Sequence, residues 1–293
     1  MVLANLFFHL SYTLPPQTLH NLKPETIMND KLLPPQEFLD LQVLWFLFQF
    51  SPAYITGEYD LEHFDQRLVD LFNQNGNYTR DDLEYVLDSQ HERLADVLPM
   101  YSALEERGQI ELTTTPYYHP IMPLLMMDGW TFEDGIYVGK DSWPEDVEMH
   151  LNKGVSLFQQ HTGVVPSGMW PSEQAVSPAM VQPVSNVGID WMVSDEMILE
   201  QSIDVNGLNP NVEDPRVLFT PWKVSGDDGG EVSVIFRDRV ISDRIAFEYG
   251  SMEPVDAVDD FLGYMDNVRQ ELLDMGEDPS EHLITVALDG ENW

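Results

Sequence analysis

Segments of helical period and short apolar runs of strand character take turns along residues 147–290, and that alternation limits the chain more than any other feature. VEMHLNKGVSLFQQH (147–161) is amphipathic and leads through a Gly/Pro-rich connector to the apolar residues of GMWPSE (168–173). A helical stretch over 177–187 precedes an apolar strand at 189–194. VSVIFRD (232–238) reads as a strand, 254–275 as a helix and HLITVALDG (282–290) as a final strand. Helix followed by buried strand, repeated, predicts parallel strands joined by right-handed crossovers. No G-x-G-x-x-G or Walker sequence stands at a strand–helix junction, so the expected fold is an α/β barrel rather than an open nucleotide-binding sheet.

Upstream, residues 2–12 read as a strand ended by Pro15 and Pro16, 36–50 as a largely buried helix, and 60–107 as helical. Thr79, followed by Asp81 and Asp82, predicts a helix N-cap, and Gly108 a helix stop. QIELTTT (109–115) alternates apolar and polar residues as a half-buried strand does. No fixed-period repeat and no low-complexity linker divides the sequence, which predicts a single barrel domain over 1–293. The opening MVLANLFFHLSYTLPP has no Lys or Arg ahead of it and is interrupted by Asn5, His9 and Ser11, as suits a core strand better than a secretion signal. No apolar run reaches the roughly 20 residues of a membrane helix, and the expected location is the cytoplasm. With no cysteine, disulfides, thiolate metal sites and a Cys nucleophile are excluded.

Charge narrows the partners. Fifty-one acidic residues against 14 basic ones leave a net charge of −37, which repels nucleic-acid backbones and anionic membranes. The acids are scattered rather than massed in a tail, and only 5 of the basic residues are Lys. That surface suits concentrated salt, where screening over about 3 Å at 1 M suppresses self-repulsion. An unfolding midpoint that rises with added KCl is the expected result; a midpoint indifferent to KCl would contradict salt adaptation. The sequence sets no oligomeric state.

Acidic side chains recur just after the apolar runs: Glu111 with His119, Glu173, Asp238 with Asp243, and Asp289 with Glu291. In a barrel the C-terminal strand ends meet at one rim, where reacting groups collect. Glu173 follows Trp170 with Pro171 fixing the backbone between them. Two carboxyl groups about 5–5.5 Å apart are what a retaining glycosidase requires. Trp130, Trp170, Trp191, Trp222 and Trp293 are available to stack on sugars. Each polar residue also has a plainer use: His119 satisfying a backbone carbonyl, Glu111 pairing with Arg107 or capping a turn, Arg237 and Arg239 neutralising nearby acids. No H-x-x-x-H or H-E-x-x-H spacing occurs, so no metal site is expected.

GQIELTTTPYYHPI (108–121), GMWPSE (168–173), FRDRVISDRIAFEY (236–249) and ALDGENW (287–293) resemble four of the five signature regions of glycoside hydrolase family 57, in the family's order. The resemblance implies an incomplete seven-stranded (β/α) barrel, a retaining double-displacement mechanism, α-glucan or oligosaccharide substrates, and no cofactor. By position it implies Glu173 as nucleophile and an Asp of the fourth region as acid/base. Asp238 and Asp243 both qualify. Asp243 is favoured because S-D-R-I-A-F (242–247) is similar to the S-D-x-I-G-F of starch-active members, with Ala246 in place of their Gly. Asp238 then orients or binds, and Glu111, His119, Trp170, Asp289 and Glu291 line the donor subsite. The His-Gln-Pro run of the first region is absent and the sequence stops inside the fifth, so the expected barrel is truncated at both ends. A carbohydrate-binding fragment without turnover and a metal-dependent polysaccharide deacetylase-like barrel are the alternatives.

Overall fold

The structure, a computed structural model, describes residues 34–51, 65–126, 130–131, 137–138, 142–202, 207, 209–226 and 228–288. The strand expected at 2–12 lies outside these residues, as do Asp289, Glu291 and Trp293. The chain divides into two compact units, Met1–Pro99 and Met100–Trp293. No helix among the described residues is long and apolar enough to cross a membrane.

The first unit holds helix α1 (Pro35–Leu47), α2 (Gln66–Gln74) and most of α3 (Arg80–Glu106), with Pro99 inside the last. Val43, Leu44, Leu47, Leu68, Leu71, Tyr78 and Val86 form its core. Each such side chain contributes about 1.5–3 kcal/mol when fully buried. The cap read at Thr79 is reciprocal: the Asp82 amide donates to Thr79 Oγ1 at 3.2 Å, and the Thr79 amide donates to Asp82 Oδ2 at 2.9 Å. Two otherwise orphaned donors are thereby satisfied at the start of α3.

The second unit is built on a mixed five-stranded sheet. Its elements in chain order are β1 (Thr113–Thr114), α4 (Met122–Met126), an antiparallel pair β2 (Trp130–Thr131) and β3 (Tyr137–Val138), α5 (Pro144–Thr162), β4 (Gly168–Met169), α6 (Val181–Asn186), β5 (Trp191–Asp195), α7 (Glu196–Gln201), α8 (Pro215–Leu218), β6 (Trp222–Ser225), β7 (Glu231–Arg237), α9 (Arg239–Asp243) and α10 (Pro254–Met275). The sheet order is β1-β4-β5-β7-β6. The first four strands are parallel, as the crossover pattern predicts, and β6 returns antiparallel along β7. On β7, Val232, Val234 and Phe236 are buried while Ser233, Ile235 and Arg237 between them are half-buried, the period-2 alternation of a strand. The buried set joins one core with Leu151 of α5, Val184 of α6 and Leu272 of α10.

Two strands are shorter than expected. The run 109–115 pairs only at Thr113 and Thr114, because its leading residues finish α3 instead. The Gln109 amide donates to Leu104 O at 3.0 Å, and Glu105 Oε2 takes the Leu112 amide at 2.6 Å. Of the final strand, a single bridge between Thr285 and Arg237 is present among the described residues. The antiparallel β6, unforeseen in the sequence, is joined to β7 by a tight turn in which the Gly226 amide donates to Gly230 O at 2.7 Å.

Candidate active site

Glu173 is delivered by a strained turn. The Trp170 amide donates to Thr114 O at 2.8 Å, which carries the β1–β4 pairing one residue past β4. Pro171 is extended (φ −62°, ψ 140°), and the turn closes through Gln174 N to Pro171 O at 2.8 Å and Ala175 N to Ser172 O at 3.1 Å. Glu173 (φ 56°) and Gln174 (φ 54°) both lie in the left-handed region, at a cost of roughly 1–2 kcal/mol each for a residue with a Cβ. Ser194 Oγ on β5 donates to Gln174 O at 2.8 Å and holds the turn in place. The Glu173 side chain is left 66% exposed.

The neighbouring strand ends the same way. After β1, Tyr118 (φ 61°) and His119 (φ 51°) are again consecutive left-handed residues, closed by His119 N to Pro116 O at 2.9 Å. Thr115 Oγ1 lies 3.0 Å from His119 Nδ1 and sets the ring's orientation, while His119 Nε2 is 3.9 Å from Glu173 Oε1. Two adjacent parallel strands thus spend backbone strain to bring an imidazole and a carboxylate together, the kind of strain that clusters at reacting sites. Helix α5 crosses close to this exit: a Cβ on Gly154 would meet Thr115 O at 2.7 Å, so only glycine fits there.

At the ends of β5 and β7 the side chains sort by face. Asp195 and Arg237 are direct register partners, and Arg237 Nε donates to Asp195 Oδ2 at 2.7 Å. The same guanidinium reaches Asp243 Oδ1 through Nη2 at 3.0 Å, and Arg239 Nε reaches Asp243 Oδ2 at 3.3 Å. Asp238, one residue on from Arg237, is wholly buried. Its Oδ1 accepts from the Ile241 amide at 3.3 Å, capping α9, and its Oδ2 accepts a short hydrogen bond from Tyr264 OH of α10. Burial pushes the Tyr264 phenol well up, and the Asp238 carboxylate adds to the shift. Of the two uses open to Asp238, orienting and binding, this position supports orienting.

Glu196, at the start of α7, belongs to the same polar cluster as Asp238 and accepts from the Arg239 amide at 3.0 Å. Burial raises its carboxyl; the Arg239 amide pulls it down, and Asp238 and Asp195 push it up again. A folded-state pKa above the unfolded one means the folded form holds its proton longer, so stability falls as pH rises through the folded value. Glu196→Gln keeps the acceptor without the charge. It is expected to raise the urea midpoint at pH 8 relative to the parent and to leave it nearly unchanged at pH 4, as equilibrium unfolding at the two pH values would show.

Glu111 does not join Glu173. Its Oε1 accepts from Ser167 Oγ at 2.7 Å and from Trp191 Nε1 at 2.8 Å. Ser167 precedes β4 and Trp191 opens β5, so Glu111 sits where the strands begin, at the rim opposite Glu173. The expectation that it lines the donor subsite is corrected: with β1 starting at Thr113, Glu111 falls before the strand rather than at its end. Trp191 packs across Gly168, where a Cβ would lie 2.4 Å from the indole, and the Trp222 indole donates to Val217 O at 3.0 Å. Both indoles serve packing rather than a sugar. Trp170 is half-buried beside the Glu173 turn.

Asp195, Glu196, Thr115 and Ser194 were not singled out in the sequence, although W-M-V-S-D-E ends an apolar run in acids just as the other strands do. Among the described residues no three His, Asp or Glu side chains group as metal ligands would.

The sequence profile of glycosyl hydrolase family 57 matches residues 29–293. A curated relative, Alpha-amylase 1 of Dictyoglomus thermophilum, is 26% identical over 93 residues, 32% of this chain and 11% of its own. Among solved structures, a branching enzyme of the family from Thermococcus kodakaraensis, in complex with glucose, is 15% identical with a TM-score of 0.50, covering 86% of this chain and 51% of that one. An α-amylase from Thermotoga maritima is 16% identical with a TM-score of 0.44, over 84% of this chain and 43% of that one. The chain spans about half or less of the length of each of these relatives. With 265 of its 293 residues (29 to 293 inclusive) under one family profile, this chain belongs to glycosyl hydrolase family 57.

Proposed function

We propose that the protein cleaves or transfers α-glucan chains by a retaining double displacement, with Glu173 as nucleophile and Asp243 as acid/base. The observation that carries the proposal is the meeting of Glu173 and His119 at adjacent strand ends, both held in left-handed conformations a relaxed chain avoids. A Glu173 oxygen attacks the anomeric carbon as the glycosidic C–O bond breaks, and protonated Asp243 gives its proton to the departing oxygen. The covalent glycosyl-enzyme is then opened by water or by an acceptor sugar hydroxyl, whose proton returns to Asp243. Water yields hydrolysis; a sugar yields transfer.

The β4 and β7 ends are separated by β5 alone, roughly 10 Å between strand axes. Glu173 and Asp243 must lean toward each other across Asp195 to reach the 5–5.5 Å of a retaining pair. Arg237, anchored by Asp195, supports Asp243 in that lean. His119 and Trp170 contact the donor sugar in this scheme. Asp289 and Glu291 belong to it by their place in the fifth signature region alone, and the incomplete seven-stranded barrel by family membership. A neutral glucan also suits a protein of net charge −37, which a polyanion would not.

Incubation with maltoheptaose, with and without glucose as acceptor, followed by chromatography of the products, tests the proposal. New reducing ends or a redistributed set of chain lengths is the expected result. Maltoheptaose left unchanged by a stoichiometric amount of protein would overturn it.

A further inference from the structure

We propose that Tyr118, Tyr117 and the outward face of α5 form an outlying binding track for an α-glucan chain already engaged at Glu173. The inference rests on the glucan reading and extends it to a surface beyond the reacting carboxylate.

Tyr118 is the starting point. It is 81% exposed, more than any other large apolar side chain among those described. It also holds φ at 61°, a conformation that is an outlier for a bulky residue. Burial cannot be what compensates the strain, since the ring stands in water. Its centroid lies 4.3 Å from that of Tyr117, tilted by 50°, so the two rings make a continuous aromatic step. From Tyr117 the step runs into a groove of about 390 Å³ lined by Asn152, Lys153, Ser156, Leu157 and Gln160, a size within the range of small-molecule sites.

These five α5 residues recur at helical spacing and share one face. They offer two amides, a hydroxyl, an ammonium and an aliphatic side chain, with no carboxylate, on a protein where acids outnumber bases 51 to 14. Amides and hydroxyls read sugar hydroxyls, and tyrosine rings take the apolar faces of pyranoses. The track starts one residue from the candidate active site, because Tyr118 immediately precedes His119, whose Nε2 is 3.9 Å from Glu173. The occupant that fits is the far portion of the same neutral glucan.

The test uses Glu173→Ala protein, so that glucan is not consumed, and isothermal titration with maltoheptaose and maltotriose. Adding Tyr118→Gly is expected to weaken maltoheptaose by about 10-fold, the equivalent of one aromatic contact, and maltotriose by less than 2-fold. Because glycine accepts the left-handed φ without strain, the unfolding midpoint should stay at or above that of Glu173→Ala. Loss of affinity without loss of stability marks a binding role. The surface double variant Asn152→Ala/Gln160→Ala should weaken maltoheptaose by about 5-fold, as two polar contacts at the weak end of their range would, and should spare maltotriose. Equal maltoheptaose affinity with and without Tyr118 would overturn the track while leaving the glucan reading intact. Equal weakening of both sugars would also overturn it, by assigning Tyr118 to the turn that carries His119. Failure of the Glu173→Ala protein to bind either sugar would overturn the track together with the reading beneath it.

Discussion

Glu173→Ala is expected to lower kcat on maltoheptaose by on the order of 10,000-fold, about 5 kcal/mol of lost transition-state stabilisation. The size follows from the proposed role: without a nucleophilic carboxylate no covalent intermediate would form, and the remaining groups could only bind and polarise. Stability should move by less than about 0.5 kcal/mol, because the side chain is two-thirds exposed and its ion-pair partner, His119, is 3.9 Å away. The alanine keeps the left-handed φ of 56° at a similar strain, so the turn itself is not relaxed.

Added azide distinguishes a nucleophile from a residue that merely shapes the pocket. In the space left by the carboxylate, azide attacks the anomeric carbon from the same side, a C–N bond forms as the C–O bond breaks, and Asp243 protonates the leaving sugar. The product is a glycosyl azide of inverted configuration. Activity restored with that product is the expected outcome. An alanine variant that turns over maltoheptaose at the parental rate would end the assignment.

The second large effect separates the two aspartates that compete in the fourth signature region. Asp238→Ala removes the cap on the Ile241 amide and leaves the hydroxyl of half-buried Tyr264 without its Asp238 acceptor. The cap is worth about 0.5–2 kcal/mol and an unpaired buried donor costs about 1–3 kcal/mol. A loss of roughly 2–4 kcal/mol in urea unfolding is therefore expected. Asp243→Asn should cost less than about 1 kcal/mol, since its two arginine partners hold it at a partly exposed site.

Turnover should sort the opposite way. Asp243→Asn is expected to lose about 100- to 10,000-fold in kcat on maltoheptaose, the span of general acid–base catalysis. It should lose far less on an aryl glycoside, whose leaving group departs without a proton. Asp238→Asn, which keeps an acceptor oxygen, should retain most of the turnover in whatever fraction is folded. A folded Asp238→Asn protein without activity, beside an active Asp243→Asn protein, would reverse the assignment.

The alternation of β and α, the helix at Pro254–Met275, the N-cap at Thr79 and family membership were all legible in the sequence, because each rests on local spacing or on short contiguous motifs. The site was legible only as a set of residue types. Glu111 shows why: it lies two residues before β1, and where a strand begins depends on Glu105 of the preceding helix claiming the Leu112 amide. A shift of that start carries a carboxylate from one rim of the sheet to the other.

Asp238 and Arg237 make the same point across the sheet. Adjacent residues at the end of one strand face opposite sides, so one meets Tyr264 under α10 and the other meets Asp195 and Asp243. Composition and motif are blind to that phase. The sequence by itself determined which reactive residue types stand in its motifs and the family the chain belongs to. Tertiary structure alone decided which acids share a face and which are buried, because side-chain direction depends on strand register and turn conformation, and packing between segments distant in sequence sets both.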